Sequence, residues 1–408
     1  MSNINYYSIS KPFIISAVIL SFVGVSIGSL WMFSLFGLSV SQLSNLFQVH
    51  KTIQLDGFLT LLVMGVSYMI IPRFRNVNNP STRLTILSFG LIITSIFLEL
   101  SAKLGGLDTL QYAVLSRLVG ILIFAALIYY MMKTSPKLLR ETDYFIATSI
   151  SMLVIIHILP LVTTAKTESL NHTQIWFLFP ILTILGVEYK TLPSFFGFMR
   201  PRKKYVILCL AMIFLSCALG LVSMYDNTHT LDIAFNATFV MSVVLFVLSL
   251  FVYGGFDNKE MVNLMPPEKK ARYNTILLHT RIGFAFLVAG FLCGVAFYAY
   301  GGFLYYDLAI HYVAIGFIGI TIMLFLPLML PPIIGKSINF LKLNKIPLVL
   351  ILAALALRTV GDVIIHTSIK ELLIPIFGAS GLVVLASMFL FVRMIHKSTN
   401  MSINIQKR

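Results

Sequence analysis

The sequence predicts an all-α, polytopic membrane protein of twelve transmembrane helices. Three observations carry that prediction. Apolar residues make up 58% of the chain and charged residues 11%, with a mean hydropathy of +0.92, a balance no ordinary soluble domain has. The apolar residues fall into runs of about twenty, the length needed to cross the hydrocarbon of a bilayer. Basic residues gather in alternate connections, as loops on one side of a membrane do.

The runs lie at about 12–38, 52–72, 84–103, 113–133, 144–164, 173–192, 205–224, 232–254, 275–300, 307–330, 346–366 and 373–394. Almost nothing remains for a soluble domain. The longest connection, about 255–273, is polar, broken by Pro266-Pro267, and too short to fold alone. We therefore expect one transmembrane domain over 1–408, with 1–11 and 395–408 as short tails. No A-x-A cleavage site follows a short apolar core, so the first run reads as a true span.

The net charge of +15 is distributed as a topology signal. Arg73, Arg75 and Arg83 follow span two, Lys133, Lys137 and Arg140 follow span four, and Lys190, Arg200, Arg202, Lys203 and Lys204 follow span six. Lys259, Lys269, Lys270 and Arg272 follow span eight, Lys336, Lys342 and Lys345 follow span ten, and Arg393, Lys397, Lys407 and Arg408 lie in the tail. Lys51, Lys103, Lys166 and Lys370 fall on the other side. The positive-inside bias places both termini in the cytoplasm of a cell with the chain in its plasma membrane. The bilayer is the partner this charge implies, and no nucleic acid is called for. Cys209, Cys217 and Cys293 all fall inside spans, without C-x-x-C or C-x-x-C-H, which argues against disulfides and covalently attached c-type heme.

His50, His172 and His311 each open a span that ends in proline (Pro72, Pro193, Pro331) about one membrane thickness later. These are spans two, six and ten, so the histidine recurs every fourth helix at one membrane face. Such a recurrence suits a bundle that holds a metal or heme between its helices. His157 and His366 lie toward the same face. So do Asp56, Glu99 and Arg117, charges that are costly inside a span and usually functional there. Arg358, Asp362 and His366 are spaced to stack along one face of span eleven. Gly57 after His50, and Gly316 after His311, would open space beside each imidazole for a planar macrocycle, with Arg117 or Arg358 reaching its propionates. Each feature also has a plainer reading. An interfacial histidine is as often a headgroup-level residue, Gly316 and Gly319 suit helix packing, and Arg358 with Asp362 suits a structural ion pair. His172, at a loop edge, is the weakest of the three histidines.

The stretch from His50 through Gln54, Gly57-Phe58 and Met64-Gly65 to Ile71-Pro72-Arg73 resembles the helix-two segment of the NnrS family, twelve-helix heme- and copper-associated membrane proteins linked to nitric oxide metabolism. Gly186 through Pro193 to Phe195, Gly283 to Phe286, His311 through Gly316 to Gly319, and Leu357-Arg358 resemble later family segments in the same order, over about 45–365. More broadly, the pattern resembles subunit I of the heme-copper oxidases, three four-helix arcs with ligands on helices two, six and ten. The resemblance implies a b-type heme held by His50 and His311, Gly57 and Gly316 as clearance, and Arg117, Arg358 and Asp362 around the propionates. Copper would be a second metal, with His172, His157 and His366 as candidate ligands.

The departures are as specific. Ala309 stands where the oxidases carry the ligand of their catalytic heme, Thr52 where NnrS has its second helix-two histidine, and Lys190 where an arginine is usual. No His-His pair occurs, so the binuclear centre that reduces oxygen or nitric oxide is not assembled and catalysis is not assigned. Three readings stand on the sequence: a heme protein of electron transfer or nitric oxide metabolism, taking electrons from quinol or a respiratory complex; a cofactor-free secondary transporter; and an accessory subunit that kept an oxidase-like fold.

Overall fold

Hydrogen bonding within single helices satisfies the backbone across apolar depth, and the computed structural model of the chain is built that way. It describes residues 6–35, 43–79, 81–137, 140–162, 169–225, 228–254, 256–333, 345–364 and 378–400. No strand occurs among the described residues. Among the described residues, twelve helices are long and apolar enough to span a membrane: α1 (Ile9–Ser34), α2 (Asn45–Arg75), α3 (Thr82–Gly105), α4 (Leu110–Thr134), α5 (Arg140–Leu159), α6 (Leu170–Phe196), α7 (Lys203–Ser223), α8 (Thr230–Ser249), α9 (Pro267–Tyr300), α10 (Phe303–Pro331), α11 (Ile346–Val363) and α12 (Ser380–Lys397). The chain is an all-α, multi-pass membrane protein. Phe97 of α3, Leu115 of α4, Ile207 of α7 and Phe389 of α12 are exposed, the apolar outer surface that lipid covers.

Helix starts differ from the hydropathy runs in an informative way. α2 begins at Asn45 and α10 at Phe303, so His50 and His311 lie inside their helices and do not open them. Polar Asn45 and Gln48 lower hydropathy without breaking helix, so the apolar run starts late. α10 starts where Gly301 and Gly302, at φ of 73° and 99°, turn the chain; only glycine adopts such angles readily. His172 does open its helix, in the first turn of α6, where its N–H is capped by Ser169 Oγ at 3.1 Å.

Residue contacts divide the chain into two compact units, Met1–Leu138 with Leu326–Arg408, and Leu139–Phe325. In the first, α2 packs against α1, α3 and α4, and α11 pairs with α12. In the second, α6 packs against α5, α7, α9 and α10. Burial separates the helices: α2 is 89% buried, α6 78% and α10 72%, whereas every other span is 44% or less. The three buried helices are those that carry His50, His172 and His311.

Each unit contains the same helix crossing. A Cβ at Gly65 of α2 would lie 2.7 Å from Phe13 Cβ, 3.3 Å from Ile14 and 3.4 Å from Ser10 O of α1. A Cβ at Gly186 of α6 would lie 3.0 Å from Phe145 Cβ, 3.2 Å from Ile146 and 3.3 Å from Thr142 O of α5. The motif Ser/Thr-x-x-Phe-Ile against glycine is thus repeated four helices later. His50 precedes Gly65 by one residue more than His172 precedes Gly186. α2 absorbs that residue in a π-helical segment, Ile53–Leu59, where α6 stays α-helical. α10 carries a second π segment, Tyr312–Gly319, directly after His311.

Both glycines admit a neighbouring backbone, so a larger side chain must overpack the crossing. Gly65→Val and Gly186→Val should each lower the thermal unfolding temperature of detergent-purified protein, at a cost of about 1–3 kcal/mol. Thermal unfolding followed by size-exclusion profile checks this, with Gly90→Val, where a Cβ meets nothing within 4 Å, as the neutral control.

Candidate functional site

His50 is held by a neighbouring backbone. Its Nδ1 lies 2.7 Å from the carbonyl oxygen of Gly24 in α1. A carbonyl can only accept, so Nδ1 carries the proton and Nε2 the ring's lone pair. The contact requires a bare backbone, because a Cβ at Gly28 would lie 2.6 Å from His50 Cε1. Gln54, one turn on, fits Gly24 in the same way and reaches Ser21 O at 3.5 Å. Gly24-x-x-x-Gly28 of α1 is therefore a cradle for two polar side chains of α2.

The π segment that follows brings Asp56 to α4. Arg117 Nη1 bonds Asp56 Oδ2 at 2.7 Å, and Arg117 Nη2 bonds Glu99 Oε2 of α3. Glu99 Oε1 accepts from Lys103 Nζ at 2.5 Å and from Thr52 Oγ1 at 2.8 Å. Lys103 Nζ also bonds Thr52 Oγ1 at 2.7 Å. Two carboxylates, a guanidinium and an ammonium thus form a charge-balanced cluster that ties α2, α3 and α4. Burying charges is costly, and such a cluster is tolerable only because each member is paired.

In the second unit, His311 Nδ1 lies 2.9 Å from Asp307 O and 3.2 Å from Asp307 Oδ1. The backbone bond alone is ordinary for a helical histidine. His157 makes it to Leu153 O and His279 to Thr275 O, both at 2.8 Å. The buried Asp307 carboxylate adds a second acceptor at His311 Nδ1, and an acceptor on Nδ1–H fixes the tautomer, as ligand-orienting partners do. In both His50 and His311 the contact at Nδ1 assigns the proton to that nitrogen.

The other expected residues fall as follows. A Cβ at Gly57 would meet Leu20 Cδ1 at 3.0 Å, and one at Gly316 would meet Phe286 Cγ at 2.6 Å. Leu20 packs beside Gly57 and Phe286 beside Gly316. Arg117 is paired with Asp56 and Glu99. Arg358 and Asp362 are both buried on α11. His366 lies outside the described residues. Among the described residues, no three His, Cys, Asp or Glu side chains group as ligands of a metal ion.

Five contributors were not assigned to the site from sequence. Gly24 and Gly28 leave a visible Gly-x-x-x-Gly in span one. Asp307 precedes His311 by one turn, and Lys103 follows Glu99 by one turn on the same helix. The part of Thr52 was hidden, since its pairings join different helices. A sixth residue, Glu188, is buried in α6 with Oε2 lacking a hydrogen-bond partner. Compared with known proteins, the chain matches no family model and no curated protein.

Removing the guanidinium would take the arginine from two buried carboxylates, Asp56 and Glu99. Arg117→Met should destabilise the protein by about 3–5 kcal/mol. Adding Glu99→Gln or Asp56→Asn to that variant should recover part of the loss. Thermal unfolding of the single and double variants checks the coupling.

Proposed function

We propose that the chain is an integral membrane heme-binding protein of the NnrS and heme-copper-oxidase-like class, with His50 and His311 as residues that would hold a b-type heme. The observation that supports this most is the His311–Asp307 pair, a ligand-orienting arrangement on one of three buried helices spaced four apart. The Gly24 carbonyl gives His50 the same tautomer. The π segments after both histidines agree, since wide turns are frequent at functional sites. Bound heme would supply one-electron redox chemistry. If both histidines held the iron, electron transfer would be favoured over reaction with a gas.

The chain's own residues then have limited, definite tasks. The Gly24 carbonyl and Asp307 fix ring orientation, and the Gly24–Gly28 backbone lets α1 approach. The Arg117 cluster holds α2, α3 and α4 together beside His50. The plasma membrane, with both termini in the cytoplasm, is the location the distribution of basic residues favours. A second reading, a cofactor-free secondary transporter, is favoured by Glu188, because a buried carboxyl without a full set of partners suits a proton relay.

Optical spectra of detergent-purified protein, oxidised and dithionite-reduced, with a pyridine hemochrome assay, test the reading. A sharp reduced α-band of b type is expected, and His311→Ala should abolish it. A full Soret band in that variant, or colourless wild-type protein after growth with ample heme, would overturn the assignment.

Asp307→Asn should keep the Soret band but raise the reduction potential, because the carboxylate stabilises the more positive ferric state through His311. Redox titration of the variant against wild type checks the direction.

A further inference from the structure

Three buried amide side chains meet in the second unit. They lie where the N-terminal ends of α6 and α8 adjoin the C-terminal ends of α7 and α9. Asn171 and Gln174 of α6 are 2% and 0% exposed, and Asn236 of α8 is 0% exposed. The hydrogen bonds around them determine which end of each amide is oxygen. Ser223 Oγ donates to Gly220 O at 2.9 Å, so its hydroxyl proton is used and it can only accept from Asn171. Asn171 Nδ2 accordingly donates to Ser223 Oγ at 2.5 Å and to Gly220 O at 3.1 Å.

A second chain starts from the backbone of α8. Asn236 Nδ2 donates to Asp232 O at 2.9 Å, which turns Asn236 Oδ1 toward Gln174, and Gln174 Nε2 donates to it at 2.7 Å. Both amide orientations are therefore anchored on carbonyls, which only accept. What remains is an acceptor on each: Asn171 Oδ1 and Gln174 Oε1 are buried with no hydrogen-bond partner. They lie three residues apart on one helix face. Buried carbonyl oxygens without donors are uncommon and call for an occupant.

The surroundings indicate its charge. Asp232, in the first turn of α8, is buried, with Oδ2 3.5 Å from His229 Nδ1. Tyr298 of α9 has its ring 5.3 Å from that of His229. Gly294 of α9 closes the wall. A Cβ there would lie 2.5 Å from Gln174 Nε2 and would also strike Asn236 Oδ1. Oxygen ligands that are neutral amides, beside one carboxylate and away from bulk water, suit a hard cation of single charge.

We infer that Asn171 Oδ1 and Gln174 Oε1, with Asp232 beside them, form a binding site for a small monovalent cation that exchanges its water for protein oxygens. The site uses neither His50 nor His311 and does not require heme. Binding to the folded state alone raises its stability, so wild-type protein should unfold at a higher temperature in sodium chloride than in choline chloride at equal ionic strength. The rise should saturate, and tracer ²²Na⁺ should bind and be displaced by lithium or potassium, but not by choline. Gln174→Leu and Gly294→Ala should weaken the sodium response by about tenfold or more, the loss expected for one ligand to a charged group. Equal unfolding temperatures in sodium, lithium, potassium and choline for the wild type would overturn the proposal and leave only water in the site. So would a wild-type sodium response in a monodisperse Gln174→Leu variant. If neither variant folds, displacement of ²²Na⁺ from the wild type decides.

Discussion

In hydrocarbon a polar side chain cannot fall back on water, so whatever is buried must be matched within the protein. Most of the arrangement around α2 follows from that constraint. His50 and Gln54 are matched by backbone carbonyls of α1, and only a span with Gly24 and Gly28 brings those carbonyls near enough. Asp56, Glu99, Arg117 and Lys103 are matched by one another, and Thr52 takes up what remains of Glu99. Three helices are thereby tied through charges that none of them could bury alone.

The same constraint operates differently in the second unit. There the matching groups are neutral amides anchored on carbonyls of α7 and α8, and the histidine finds its carboxylate one turn away on its own helix. The two units nevertheless share a pattern at the crossing of a buried helix with its predecessor, Gly65 on Phe13-Ile14 and Gly186 on Phe145-Ile146. That likeness makes the spacing of spans two and six a physical recurrence, with His50 and His172 at matching positions once the π segment is allowed for.

The twelve helices were legible because lipid-facing surface has to be apolar for the length of a crossing, and Phe97, Leu115 and Phe389 mark it. The helix ends near His50 and His311 were not, because hydropathy reports lipid exposure and these residues sit on buried polar faces that continue the helix. The charged residues Asp56, Glu99 and Arg117 were visible as a group, since charge within a span is rare. Their pairing was not, since it joins residues 61 apart and depends on how α2 is wound between Ile53 and Leu59. Gly57 and Gly316 were read as openings because a missing side chain looks the same in sequence whether a cofactor or a neighbouring helix fills the space. Leu20 and Phe286 are the side chains that stand beside them.

The wide turn of α2 has a consequence for how such a helix can change over time. An α-helix fixes the angle between its two ends, so a shift that improves one contact spoils another. One additional residue at Ile53–Leu59 removes that dependence. The end bearing His50 follows α1, while the end bearing Gly65 keeps the crossing that α6 makes without any such insertion. One residue more is enough to turn one half of such a helix toward a different neighbour while the packing of the other half stays intact. The two halves of α2 would then be free to drift separately.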